Sequence, residues 1–196
     1  MRKDIVDIRF KDRPVLLDRV LQNIQKTLTD KLTWLNYAFG RSYKIVDYRD
    51  HDRIVYPAVY NGSGEYISLL PNDNFGNFSW FDIYDPQIIT DDIQSRPQLT
   101  FSGALIFWFD LSSIYEDDSM MYTEEVKNEI LRLLATPGFI GPGCKISVDR
   151  VYENPENIYK GYLRSGEIPG NIDKQFFMYP YAGLRIEFTI KARELC

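Results

Sequence analysis

The sequence predicts an α+β fold in which two helices pack on one face of an antiparallel or mixed sheet. Apolar residues recur every three to four positions in two stretches, 14–37 and 123–134, which is the spacing of amphipathic helices. Most of the remaining chain alternates apolar and polar residues, which is typical of strands with one buried face. With 196 residues, 44% of them hydrophobic, the chain is expected to form one domain spanning 1–196.

Two helices are bounded by recognisable end signals. The first is predicted from Pro14, which suits a first turn, to about Tyr37, with Gly40 following its end. Its apolar stripe comprises Leu17, Leu21, Ile24, Leu28, Leu32 and Leu35. The second is predicted to begin near Thr123, whose side chain is expected to cap the first turn, and to stop at the sequence TPGFIGPG at 136–143.

The strands are predicted from period-two alternation between turn signals. The expected segments are 54–60, 65–70, 78–84, 101–111, 145–152 and 184–191. The sequence NGSG at 61–64 predicts a hairpin turn between the first two. Two stretches without a clean period, 84–97 and 153–181, are expected to be long loop arms.

The segment QLTFSGALIFWFDLSSIY at 98–115 is the most apolar part of the chain. Phe107, Trp108 and Phe109 are consecutive, and successive side chains of a strand point to opposite faces. Either two apolar layers therefore enclose this sheet, or one face awaits a partner. If both helices cover one face, the aromatics on the other face would be exposed in a monomer, and such a patch usually marks an interaction surface.

Composition excludes some classes of function. The formal net charge is −5, and the 23 basic residues form no dense run, which argues against a protein that binds nucleic-acid phosphates tightly.

Two cysteines, Cys144 and Cys196, do not make a disulfide framework and are expected to be reduced thiols in a cytoplasm. The start of the chain lacks the apolar core of a signal peptide, and no apolar run is long enough to span a bilayer.

Catalytic and metal chemistry find little support in the sequence. His51 lies between Asp50 and Asp52, but no second histidine or ligating cysteine completes a site, so a solvated bend is expected. Cys144 has no nearby activating base, and the glycines at 138, 141 and 143 match no phosphate-binding loop. We therefore expect no catalytic residue, no metal and no cofactor.

Two alternatives are open: a monomeric binding module, which requires that the chain itself cover the second face of the sheet, and a metal-dependent nuclease of a phage or mobile element. Acidic residues gather in two groups, one comprising Asp82, Asp85, Asp91 and Asp92 and the other Glu116, Asp117 and Asp118. Asp82 and Asp110 are expected on adjacent strands, where carboxylates can hold Mg²⁺. The acid-x-Lys partner of such a site is missing from the neighbouring strands, which favours solvated loops or subunit contacts.

The order of these elements resembles that of bacteriophage tail-terminator and tail-completion proteins. The matching features are the helix at 14–37, the strand at 101–111, the helix at 123–134 and the final strand in the sequence RIEFTIKAREL. The Tyr- and Asn-rich composition is also similar to that of proteins from crAss-like phages. The resemblance implies a virion structural protein, made in the host cytoplasm, that forms a six- or twelve-fold homo-oligomeric ring in the neck between connector and tail.

That resemblance also implies the partners. The ring would contact itself and other neck, portal-connector or tail proteins, with no membrane, and genomic DNA would pass through its channel without specific binding. A charge of −5 per subunit suits a lumen through which a polyanion must slide. The predicted contact residues, taken from the aromatic strand and the two loop arms, are Tyr84, Ile88, Ile89, Phe107, Trp108, Phe109, Tyr159, Tyr162, Leu163, Phe176, Phe177 and Tyr179.

Overall fold

The computed structural model describes residues 7–49, 52–62, 64–72, 75–91, 97–117, 119–162 and 174–193. Within these ranges the helices are α1 (Leu16–Lys31), α2 (Thr123–Leu134) and the short α3 (Pro155–Ile158). The strands are β1 (Tyr37–Arg49), β2 (Asp52–Gly62), β3 (Glu65–Ser68), β4 (Phe78–Ile83), β5 (Ile88–Asp91), β6 (Pro97–Asp110), β7 (Cys144–Tyr152) and β8 (Tyr181–Arg193). Two 3-10 turns occupy Leu111–Ser113 and Lys174–Phe177.

The strands form one mixed sheet in the order β3-β2-β1-β4-β6-β8-β7, with β5 pairing with β6 beyond the end of β4. The β1–β4 pair is parallel, whereas the other pairs are antiparallel. The α+β class with a mostly antiparallel sheet is therefore confirmed. β2 and β3 form the hairpin predicted around 61–64, where Gly62 takes the positive φ that favours glycine.

Both long helices pack on the same face of this sheet, as the sequence predicts. Leu21, Ile24 and Leu28 of α1 are buried in the same core cluster as Val126 and Ile130 of α2. From the sheet, the alternate residues of β6 and β8 complete this cluster, including Phe101, Leu105, Phe107, Phe109, Leu184, Ile186, Phe188 and Ile190. This helix-covered side is the first face of the sheet.

A second apolar layer covers part of the opposite, second face. Trp80 and Trp108 are buried there with Ile158, Tyr159 and Phe176, all three of which come from the segment 153–181. The Trp80 and Tyr159 rings lie 5.8 Å apart between centroids. The central strand is therefore apolar on both faces because the chain encloses it in two layers of its own.

The first helix is shorter than predicted. It ends at Lys31, and β1 begins at Tyr37, so Gly40 lies in a strand instead of beyond a helix end. Buried Asn77 holds this transition: its backbone carbonyl accepts a hydrogen bond from Asn36 N at 2.9 Å, and its Nδ2 donates to Trp34 O at 2.9 Å. The leucines at 32 and 35 continue the helical spacing, but they are buried in the connection to β1.

Other local predictions are also corrected. Pro14 precedes the first turn of α1. Thr123 is the first residue of α2 and caps nothing, since the N-cap position is Tyr122 without a side-chain cap. The predicted arm at 84–97 contains the strand β5, and the predicted arm at 153–181 contains α3 and a 3-10 turn. β1 and β5 pair with other strands although their sequences give weak strand signals.

Gly103 of β6 lies where the sheet has no room for a side chain. A Cβ at this position would lie 2.7 Å from the Asp82 carbonyl oxygen and 3.0 Å from Ile83 Cδ1. Because backbone cannot give way cheaply, Gly103→Ala is expected to lower the free energy of unfolding by about 1–3 kcal/mol, measured by urea denaturation. Gly40→Ala is the matched control, since a Cβ there would meet only the Gln25 side chain at 3.5 Å or more. Equal stability of the two variants would contradict this packing.

Candidate assembly surfaces

The structure divides the predicted contact residues into two groups. Phe107, Trp108, Phe109, Tyr159 and Phe176 are buried inside the chain's own fold. Their prediction as exposed contacts is wrong, because α1 and α2 cover Phe107 and Phe109 on the first face, whereas Trp108 packs with Ile158, Tyr159 and Phe176 on the second.

The second group remains at or near the surface. Ile88 and Ile89 are 53% and 68% exposed, and Tyr179 is also exposed. Tyr84 and Tyr162 are partly buried. Leu163 and the side chain of Phe177 lie outside the described residues.

Arg185 lies at the centre of a buried polar cluster on the second face. Its side chain is 1% exposed. Nη2 donates to Asp82 Oδ2 at 3.0 Å and to the Tyr84 hydroxyl, and Nη1 donates to the Ile158 carbonyl at 3.1 Å. Nε lies 3.8 Å from Glu187 Oε1, within ion-pair range but too far for a hydrogen bond. The guanidinium thus ties β4 and β8 to α3.

The neighbours of Arg185 complete and balance this cluster. The Tyr84 hydroxyl donates to Glu187 Oε1 at 3.2 Å, and Lys160 Nζ lies 3.5 Å from the same oxygen. The Tyr162 hydroxyl donates to Asp82 Oδ1 at 3.2 Å. Two cations therefore face two carboxylates, and the cluster carries no excess charge.

Protonation states in the cluster follow from these contacts. Burial alone would lower the pKa of the Arg185 guanidinium, but Tyr84 and Asp82 outweigh it and raise that pKa. Burial, and then the Asp82 carboxylate, raise the pKa of the Tyr162 phenol. Tyr162 is therefore a neutral donor that fixes the loop after α3 on the sheet. The sequence predicted it only as a contact residue between subunits.

The carboxylates of the nuclease alternative are far apart. Asp82 and Asp110 do lie on adjacent strands, but Asp82 pairs with Ala104, six residues before Asp110 along β6. Six residues of strand span roughly 20 Å. Asp110 instead accepts hydrogen bonds from Ser112 at the start of a 3-10 turn. Among the described residues, no three His, Cys, Asp or Glu side chains group as a metal site.

The remaining chemical candidates give no site. His51, Asp50, Asp92, Asp118 and Cys196 lie outside the described residues, as do the side chains of Asp52 and Asp91. Asp85, Glu116 and Asp117 are exposed. Cys144 is half-buried at the start of β7, and burial raises the pKa of its thiol, which disfavours the reactive thiolate.

The outer ends of β1 and β2 form a two-stranded extension that we call the hairpin arm, residues 45–49 and 52–56. Its pairs run from Ile45↔Tyr56 to Arg49↔Asp52, whereas β4 pairs with β1 only as far as Arg41. Within the described part of the chain, no third strand pairs with the hairpin arm.

The hairpin arm carries apolar side chains on both faces. Strand alternation places Val46, Tyr48 and Val55 on the second face, and Ile45, Ile54 and Tyr56 on the first. Tyr48 is 69% exposed and Val46 is also exposed. Arg53, which pairs across from Tyr48, adds a positive charge to the second face, as does Lys44 at the base of the arm.

A second exposed apolar surface lies where β6 ends, and we call it the methionine patch: Met120, Met121, Met178 and Tyr179. All four side chains are exposed, with Met121 at 73%. Leu111 N donates to Pro180 O at 2.9 Å, which holds the chain next to Met178 and Tyr179 against the end of β6. Tyr179 is also near Tyr122, the residue after Met121, since after burial and the Asp117 and Glu125 carboxylates it contributes to the raised pKa of the Tyr122 phenol. Only Tyr179 of this patch was among the predicted contacts, although the Met-Met pair in the sequence is itself an interface signal.

The methionine patch has an acidic border. Glu116 and Asp117 precede it, and Glu125 follows it on α2; all three are exposed. Burial, and then the Glu125 and Glu129 carboxylates, raise the pKa of the Tyr115 phenol, which stacks on Tyr122 at 4.1 Å. Exposed carboxylates therefore lie along this border of the patch.

No protein-family model matches this chain, and no curated protein sequence matches it significantly. In the described residues, no helix has the length and apolar character needed to cross a bilayer. The geometry thus defines an α+β sheet domain whose exposed apolar surfaces include the hairpin arm and the methionine patch.

Proposed function

We propose that this chain is a virion structural protein that assembles into a homo-oligomeric ring in the head-tail neck of a bacteriophage. The observation that carries the proposal is the hairpin arm, whose strands leave the sheet with apolar residues on both faces. The order of helices and strands, which resembles that of tail-terminator and tail-completion proteins, is consistent with this role.

The hairpin arm has the properties of an element that is completed by a partner. A two-stranded hairpin is at best marginally stable in water unless it packs against other structure. Val46 and Tyr48 are nevertheless exposed, and Tyr is among the residues most enriched in protein interfaces. A neighbouring subunit that covers the arm would stabilise it and hold the ring together.

β5 supplies further exposed apolar surface. Ile88 and Ile89 are adjacent in this strand, so they point to opposite faces, and both are exposed. The sequence predicted both residues as contacts between subunits, and this proposal keeps them as such. Their place beside β6 distinguishes them from the hairpin arm on β1 and β2.

Charge is compatible with DNA passage. The formal net charge of −5 means that each subunit weakly repels a polyanion. A channel of such subunits would let DNA slide, because tight binding requires clustered Lys and Arg at the phosphates.

Mass in solution tests this proposal. Light scattering is expected to give six or twelve copies of the 23.0 kDa chain, roughly 140 or 280 kDa. Measurement over a hundredfold range of concentration separates a stable ring from weak association. A single-chain mass throughout that range would contradict the proposal, whereas magnesium-dependent DNA cleavage lost in Asp82→Ala would favour the nuclease alternative.

A further inference from the structure

The hairpin arm and the methionine patch lie at opposite ends of the sheet. Tyr37 of β1 pairs with Phe78 of β4, which pairs with Trp108 of β6, so these three residues mark one end. β6 leaves the sheet at that end, two residues after Trp108, and leads into the methionine patch. β1 runs the other way, and the hairpin arm begins eight residues beyond Tyr37, roughly 25 Å along the strand.

The two surfaces also match in chemistry. The second face of the arm combines Val46, Tyr48 and Val55 with the cation of Arg53. The methionine patch combines flexible apolar side chains with the carboxylates of Glu116 and Asp117. Methionine side chains adapt to irregular partners, and opposite charges at the border of an apolar contact set its orientation.

We propose that the second face of the hairpin arm docks on the methionine patch of the next copy of the same chain. This inference rests on the proposed ring and names the surfaces that build it. A chain cannot fill its own patch, since its arm points away from that end of the sheet. The contact is therefore heterologous: each copy offers an arm to one neighbour and a patch to the other, and repetition closes a ring.

Cross-linking tests the pairing of surfaces. In a chain with Cys144→Ala and Cys196→Ala, we would place Tyr48→Cys on the arm and Met121→Cys on the patch, and treat the protein with a short bismaleimide. A ladder of covalent multimers is expected, formed at least tenfold faster than from the control pair Tyr48→Cys and Val148→Cys. Val148 is likewise exposed but lies on β7. Efficient dimer formation by Tyr48→Cys alone would indicate an arm-to-arm contact and overturn the proposal.

Charge reversal provides an independent readout. Arg53→Glu and Glu116→Lys are each expected to weaken assembly by roughly fivefold, because repulsion replaces the attraction of an exposed ion pair. Their combination is expected to restore assembly. Lys145→Glu, an exposed position on β7, controls for net charge and should leave assembly unchanged. If the unmodified chain forms rings while neither the covalent ladder nor the rescue by the combined charge reversal appears, the docking of arm on patch is wrong, but the proposed ring is supported. If the unmodified chain is monomeric, both proposals are wrong.

Discussion

Replacing Arg185 with methionine is expected to lower the free energy of unfolding by about 3 kcal/mol. Methionine is unbranched and fits a long, narrow site, but it leaves the Asp82 carboxylate without its cation in a position where only 20% of that side chain is exposed. The Ile158 carbonyl and the Tyr84 hydroxyl also lose a donor. Urea denaturation of the purified variant measures the effect.

A matched control variant distinguishes the loss of a buried cation from the loss of an exposed one. Lys191→Met removes a cation from the same strand and the same face, but Lys191 is exposed, so the change should stay within about 0.5 kcal/mol of the original stability. Adding Asp82→Leu to Arg185→Met removes both charges and is expected to recover part of the loss. Equal stability of Arg185→Met and Lys191→Met would contradict the structural role of the cluster.

Removing the hairpin arm is expected to abolish assembly while leaving the domain folded. Ile45 and Tyr56 are paired across the hairpin and both have a backbone N–H, so residues 46–55 can be replaced by Asn-Gly, which closes a two-residue turn between them. The core clusters on both faces of the sheet contain no residue of the arm. Light scattering should then give the mass of one chain, and circular dichroism should retain the α+β signal.

The control for this deletion keeps the arm and removes its apolar contact. Val46→Thr retains a branched side chain suited to a strand, whereas Val46→Asp places a carboxylate on the docking face. Assembly is expected to survive the first change and to fail in the second. A truncated chain that still assembles would show that the ring depends on other surfaces, among which β5 with Ile88 and Ile89 is the first to examine.

Two interior strands were predictable from the sequence. β8 alternates apolar and polar residues over most of its length, and β6 contains an unbroken apolar run, ALIFWF, of the kind expected for a strand buried on both faces. β1 was missed because Leu32 and Leu35 continue the helical spacing of α1. The connection from the helix to β1 is held by Asn77, which bonds to Trp34 and Asn36 from more than 40 residues later in the chain, and no local pattern predicts such a contact.

The polar cluster illustrates a second limit of sequence reasoning. Alternation in β8 correctly separates Arg185 and Glu187 from the helix-covered face, which makes the second face appear solvated. Arg185 is buried there because α3 and the residues after it, as far as Tyr162, pack on this face, and its partner Asp82 lies 103 residues away. Apolar patterns identify a face of a strand, but they do not reveal which loop covers that face.

The predicted contact surface was limited in the same way. Aromatic content favoured Trp108 and Tyr159, which are core residues, since large aromatic side chains serve both cores and interfaces. The hairpin arm and the methionine patch become visible only when strand pairing and exposure are known. An aromatic residue in the core differs from one in an interface by its exposure, and no local sequence pattern predicts that exposure.

Electron microscopy of the purified chain tests the central claim most directly. Closed rings of uniform copy number are expected, with a central opening wide enough for duplex DNA and with the hairpin arm of each subunit joined to the methionine patch of the next. Single subunits at every concentration, or open filaments that never close, would contradict that claim.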